Sequence, residues 1–145
     1  MDQNQVREKN RAAIEAFLQC RGPKRGEMRA PLFAENATQE IAMPGPDGFQ
    51  YRSLPAKEWL ESTAISFPEW GFYDNMIFET EDPNIFLVKS RGQGFMVENG
   101  KSSPVEHFYV NEFRMKDGKI EMFRENPNPS EEYNPYTDKE SDTLQ

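Results

Sequence analysis

One histidine and one cysteine occur in 145 residues, and that scarcity narrows the chemistry first. His107 and Cys20 cannot furnish the ligands of a His/Cys zinc site within one chain. A carboxylate-only Mg²⁺ or Ca²⁺ site needs neither, but no EF-hand loop is present. The sequence holds no Walker loop, no G-x-G-x-x-G after a strand and no G-x-S-x-G elbow. Nucleotide cofactors and serine-hydrolase chemistry therefore lack support. Acid–base work by carboxylates, His107 and tyrosines remains, with no cofactor and no metal expected.

His107 lies in PVEHFYVNEFRM, residues 104–115. Strand alternation puts it on one face with Tyr109, Asn111 and Phe113, and puts Glu106 and Glu112 on the other. If the first face lines a pocket, His107 can move protons while Tyr109 and Asn111 donate hydrogen bonds. Otherwise it is a histidine at the sheet surface or in a dimer contact. Glu125, in RENPNP, sits near the end of the last apolar run. Projecting into a ring-lined pocket, its carboxyl would lose solvent and its pKa would rise towards neutrality. Facing outward, it would pair with Arg124 or Lys119. A single β-bulge decides between these. Asp74 and Glu40 are weaker carboxylate candidates, and Cys20 reads as a small apolar filler at a helix end.

These groups need a scaffold. Val6, Ala13, Ile14, Phe17 and Leu18 trace one face of a helix over roughly 4–20, after a frayed start at 1–5. Gly22-Pro23 stops it. A second helix is expected around Lys24–Phe33, kinked by Pro31, then a strand over Thr38–Met43. A loop at 44–48 and an extended piece, Phe49–Arg52, follow. A third helix has Pro55 in its first turn and Trp59, Leu60, Thr63, Ala64 and Phe67 on its buried face. Two runs rich in aromatic and β-branched residues, Trp70–Thr80 and Ile85–Arg91, flank Glu81-Asp82-Pro83-Asn84, which is turn chemistry. The second run is expected to leave the sheet in a Gly92-Gln93-Gly94 bend. Turns at Asn99-Gly100 and Asp117-Gly118 separate the remaining strands, and Pro127-Asn128-Pro129 is expected to end the sheet. The order is α+β, with helices on one face of a mainly antiparallel sheet.

The chain length suits one domain, expected over 1–129, with an acidic tail over 130–145 that Tyr133 and Tyr136 could pin. The net charge of −8 and pI near 4.8 argue against nucleic acid. No basic amphipathic helix or long apolar run suggests a membrane. The N-terminus has no apolar signal region and the lone cysteine suits a reducing compartment, so a cytoplasmic protein is expected. Eleven Phe, five Tyr and two Trp would suit a ring-lined pocket.

FPEW, FETEDPN, a strand running into G-x-G, then DGKI and RE together resemble the phenazine-biosynthesis A/B proteins. These fall within the nuclear-transport-factor-2-like and ketosteroid-isomerase-like superfamily. The resemblance runs from about Arg7 to Asn126. It implies a cone-shaped barrel, a strongly curved sheet wrapped around about three N-terminal helices. It also implies a dimeric, cofactor-independent enzyme that helps two aminocyclohexenone carboxylate molecules condense, ketone to amine, into a tricycle. The ligand is then a small cyclic or aromatic carboxylate. Glu125 matches the family's acid–base glutamate. Arg29 matches an arginine that holds the substrate carboxylate, with Arg25 as competitor because of a one-residue gap. Thr63 stands where the family has a ligand-bonding serine. Trp59 stands where the family has a histidine, which leaves open a different condensation, cyclisation or isomerisation. Relatives in the superfamily abstract a proton α to a carbonyl, for which Tyr73, Tyr109 or Asn111 could hold the enolate. A silent small-molecule binder is the third possibility. The outer sheet face, rich in Phe, Tyr and Val, predicts a homodimer.

Overall fold

The computed structural model describes residues 1–129. The expected tail, with Tyr133 and Tyr136, lies outside the described residues. Helix α1 spans Gln3–Gln19 and α2 spans Arg25–Arg29, followed by a single 3₁₀ turn at Ala30–Leu32. Strands β1 (Phe33–Gly45) and β2 (Gly48–Pro55) precede α3 (Ala56–Ser66). Then come β3 (Glu69–Glu79), β4 (Ile85–Glu98), β5 (Lys101–Lys116), β6 (Lys119–Glu125) and β7 (Pro127–Pro129).

The strands form one curved sheet in the order β2-β1-β6-β5-β4-β3, with β7 paired to β5. It is antiparallel except where β1 runs parallel to β6. Among the described residues it stays open, with β2 and β3 as edges, so the α+β cone is a wrapped sheet and not a closed barrel. The core sits on the inner face. Phe17 of α1 is fully buried among Phe33, Trp59, Phe72, Phe113 and Phe123, with ring centroids 4.9–6.5 Å away.

Local expectations fail in five places, each for a physical reason. The chain start is not frayed. Asp2 Oδ1 accepts from the Gln5 N–H at 2.8 Å and the Asp2 N–H donates to Gln5 Oε1 at 3.0 Å, a capping box. The helix expected over Lys24–Phe33 is only five residues long, because Pro31 lies in a 3₁₀ turn and Phe33 already pairs with Ile120. Strand β1 runs well past Met43, so that only Pro46-Asp47 is a turn between it and β2. Gly92-Gln93-Gly94 is no bend but continuous strand. A Cβ on Gly92 would come within 2.5 Å of the Trp70 ring and 2.6 Å of the Tyr109 ring, so the glycine makes room for two aromatics. Pro127-Asn128-Pro129 does not end the sheet. After Asn126 the chain continues along β5 in the same register as β6, pairing with His107, Phe108 and Tyr109.

The β3–β4 turn carries the FETEDPN stretch. Thr80 Oγ1 donates to the Ile85 carbonyl at 2.8 Å, and Asp82 Oδ1 accepts from the Asn84 N–H at 2.8 Å. Helix α1 clamps it from above. Arg7 Nη2 donates to the carbonyls of Thr80 (3.0 Å) and Glu81 (2.9 Å), and buried Asn10 donates to Pro83 O (2.9 Å) and Asn84 Oδ1 (3.0 Å).

Candidate functional site

A one-residue bulge builds the site. Along β5 and β6, Lys116 faces Lys119 and Met115 faces Ile120, but Arg114 then faces Met122, leaving Glu121 as an extra residue. Without that extra residue, the face carrying Ile120 would continue through Met122 and Arg124. With it, Phe123 and Glu125 turn inward and Arg124 turns out. Phe123 is fully buried and Glu125 is 7% exposed. Arg124 bonds Glu40 Oε2 through Nε (3.0 Å) and Nη2 (2.8 Å), so the outward pairing considered for Glu125 goes to Glu40 instead.

Inside, Gln39 of β1 donates from Nε2 to Glu125 Oε1 at 2.7 Å. Two arginines of the short α2 are sealed beside it, Arg25 at 0% exposure and Arg29 at 1%. Arg25 donates to the carbonyls of Gly22 (3.1 Å) and Thr63 (3.2 Å), and Arg29 donates to that of Cys20 (3.2 Å). The Arg29 guanidinium lies 4.3 Å from the Phe17 ring centre and 5.5 Å from that of Phe72, faces that favour a cation. Neither arginine's Nε–H has a partner among the described residues. A buried donor left without an acceptor costs about 1–3 kcal/mol.

Burial raises the Glu125 carboxyl to about 7, against the pull of Arg29, the Gln39 hydrogen bond and Arg25. Burial and repulsion by Arg25 lower Arg29 to about 9, which still leaves it charged at neutral pH. Burial also lowers Arg25, opposed by Glu125 and then by Glu69. Tyr109, buried and next affected by the Glu125 charge, is pushed well above its ordinary value and stays a phenol. Two guanidinium charges thus act on one carboxyl poised between its forms, an interior with positive charge to spare.

Whole-chain comparisons give the family and the fold. Residues 1–136 match the family model described as phenazine biosynthesis protein A/B. Phenazine biosynthesis protein PhzA2 of Pseudomonas aeruginosa is 34% identical over 134 residues, 88% of this chain and 80% of that protein. The chain belongs to the phenazine biosynthesis A/B family. The crystal structure of a phenazine biosynthesis-related protein (PhzB2) from Pseudomonas aeruginosa superposes with a TM-score of 0.77 at 28% identity, covering 88% of this chain and 84% of that one. A nuclear-transport-factor-2-like protein from Anabaena variabilis shares the fold, at TM-score 0.64 and 15% identity over 92% and 98% of the two chains.

The candidates taken from family resemblance fall into separate places. Glu125, Arg29 and the competitor Arg25 come together in the interior. Trp59, expected from the resemblance to stand at the family's histidine position, is 9% exposed and packs against Phe123 (5.4 Å), Phe33 (6.4 Å) and Phe17 (6.5 Å). Thr63 is half-buried, and its carbonyl holds Arg25. Asn111, 1% exposed, accepts from the Asn126 N–H at 3.0 Å and so fixes the chain just beyond Glu125. Asp74 pairs with Arg91 at 3.0 Å, near the surface. Burial pushes the Cys20 thiol up more than Arg29 draws it down.

His107 is half-buried, and its Nδ1 lies 3.3 Å from the Tyr109 hydroxyl. It also lines a cleft of about 970 Å³ with Arg21, Glu69, Trp70, Phe95 and Glu106. That cleft does not reach Glu125. Tyr109, packed on Trp70 (6.3 Å) and Phe72 (5.3 Å), lies between the cleft residues and the interior. Among the described residues no group of three or more His, Cys, Asp or Glu could hold a metal ion, and no helix is long and apolar enough to cross a membrane.

Sequence reasoning did not single out Gln39. A signal existed: Gln39 has the parity of Ala37 and Ile41 on its strand, so a polar side chain sits on an otherwise apolar face.

Proposed function

We propose that this chain is a cofactor-independent acid–base enzyme of secondary metabolism, acting on a small cyclic carboxylate. In the family reaction two aminocyclohexenone carboxylate molecules condense, the ketone of one meeting the amine of the other. The observation that carries this reading is the buried Glu125, held near pKa 7 beside Arg25 and Arg29. A carboxyl poised at neutral pH both accepts and returns a proton. The surplus guanidinium charge and the unpartnered Nε–H groups suit a substrate carboxylate, which a guanidinium fork binds through both oxygens. Such binding holds the reacting carbons near Glu125, and much of the acceleration comes from that positioning.

His107 and Tyr109 serve as the second acid–base element. The tyrosine hydroxyl, kept as a phenol, donates a hydrogen bond to the ligand's carbonyl oxygen, and His107 lies beside it at the cleft. Thr63 and Asn111 frame the ligand through the contacts they make with Arg25 and the Asn126 segment. The outer sheet face, with Met76, Phe78, Leu87, Phe108 and Val110 exposed, is the proposed homodimer contact. Sedimentation finding a monomer at micromolar concentration would contradict that part.

Trp59 favours a second reading. Its indole fills the core where the family's histidine would stand, leaving the interior carboxyl with no helix histidine to share its proton. A single-base proton transfer α to a ketone, as in isomerases and cyclases, fits that arrangement.

The test is tricycle formation from the aminocyclohexenone carboxylate with no protein, wild type and Glu125→Gln. Acceleration by wild type and a loss of about 10²-fold or more in the variant support the condensation. A wild-type rate equal to the uncatalysed one rules it out. Proton–deuteron exchange α to the carbonyl of a cyclic ketone carboxylate then tests the single-base reading.

A further inference from the structure

Gln39 is the least conspicuous member of the interior cluster and, among the described residues, the only one hydrogen-bonded to the carboxyl. It is 2% exposed, on β1, beside Phe123 in the parallel ladder. Its Nε2 has two hydrogens and meets two acceptors, Glu125 Oε1 at 2.7 Å and the Glu40 carbonyl at 3.1 Å. The Glu40 carbonyl can only accept, so it fixes which end of the amide faces it and therefore which end faces Glu125. Carbonyl and amide ends cannot be exchanged without setting two oxygens against each other.

That arrangement distinguishes the two oxygens of the carboxyl. Oε1 accepts from a donor that cannot take a proton, and it can do so whether Glu125 is ionised or protonated. The charged groups that face the carboxyl otherwise are Arg25 and Arg29 from α2, with the neutral Tyr109 hydroxyl from β5.

The geometry points to Gln39 as the positioning residue of the site, an amide that holds Glu125 Oε1 as a permanent acceptor so that the proton is carried on Oε2. In the reaction a proton leaves the ligand for Oε2, its electron pair stays on the ligand, and the carboxylate becomes a carboxylic acid. The return step reverses this at the same oxygen. The amide also favours the ionised form, so it tempers the effect of burial. This rests on Glu125 being the proton-transfer group, but the test does not require turnover.

Gln39→Met keeps the length of the side chain and removes the donor, while Gln39→Glu keeps the shape and faces Oε1 with another oxygen. The Glu125 carboxyl carbon, ¹³C-labelled, is titrated by NMR in wild type and both variants, with Glu125→Gln to assign the signal. The expected result is a midpoint about one pH unit higher in Gln39→Met and higher still in Gln39→Glu. Where the wild type is active, the alkaline rise of kcat moves with it and KM changes little. A folded variant of either kind whose Glu125 midpoint equals that of the wild type overturns the proposal. If Gln39→Met does not fold, Gln39→Glu alone decides. A shifted NMR midpoint with an unchanged reaction-rate profile also overturns it, because Gln39 then does not position the oxygen that transfers the proton.

Discussion

The two ends of helix α1 are built on opposite terms. At its start, Arg7 and Asn10 meet the Glu81-Asp82-Pro83-Asn84 turn, and their donors bond to backbone carbonyls and one side-chain oxygen. Just past its end, Arg25 and Arg29 enter the interior with charge in excess and an Nε–H each unpartnered among the described residues. At the first end the buried donors are used, and among its buried polar atoms in the described residues only Asn10 Oδ1 is left over. The second is held in reserve. A polar group saturated by backbone fixes geometry. A buried charge without a full complement invites a ligand. The difference separates a structural motif from a functional one, although the turn is the more recognisable of the two in sequence.

The largest expected effect comes from the bulge that sets the second end. Deleting Glu121 returns β6 to a regular ladder and turns Phe123 and Glu125 outward. Loss of one buried Phe alone costs about 3–5 kcal/mol, so the deletion should abolish cooperative unfolding or drop it by at least that much. A variant that melts like wild type would mean that the bulge does not set the parity.

Next comes pH. The folded Glu125 carboxyl lies above its ordinary value of 4.5, at about 7. Its contribution to stability is full below the unfolded value and is lost as pH rises through the folded one. Denaturant unfolding should therefore show wild type losing roughly 3 kcal/mol between pH 4.5 and 8 from this group. In Glu125→Gln that slope should be absent. Equal slopes in the two proteins would remove the buried carboxyl from the account.

Arg29→Met should raise KM for a carboxylate substrate by about 10²-fold with a smaller change in kcat, since it removes the charged partner proposed for the ligand. The same variant should raise the Glu125 midpoint, because Arg29 is the largest influence opposing burial. The smallest effect belongs to the saturated end. Asn10→Ala should cost about 1–3 kcal/mol in thermal or denaturant unfolding and leave KM and the Glu125 midpoint unchanged. A large shift in either would join two regions that are separate here.

Much of the fold was legible. The α1 face, the hairpin about the Glu81–Asn84 turn and the Asp117-Gly118 turn follow from periodicity and turn chemistry, and the structure has them. The site was legible only through resemblance. Glu125 and Arg29 carry no local pattern that marks them as interior, because strand parity is set by Glu121, a residue whose type says nothing about being a bulge. Arg25 and Arg29 look like solvated helix residues until Pro31 and Phe33 end the helix early and tuck it under α3. Gly92 reads as a bend because its neighbours in space, Trp70 and Tyr109, are distant in sequence. Gln39 was within reach by alternation, but a lone amide on a strand offers no chemistry until its partner is known.

The central claim is that Glu125 is a buried carboxyl held at neutrality between two arginines. NMR titration of its ¹³C-labelled carboxyl in the wild-type protein, with Glu125→Gln for assignment, tests this most directly. The account predicts a midpoint near 7. A midpoint at the ordinary value of 4.5 would contradict it and leave Glu125 a solvated strand residue.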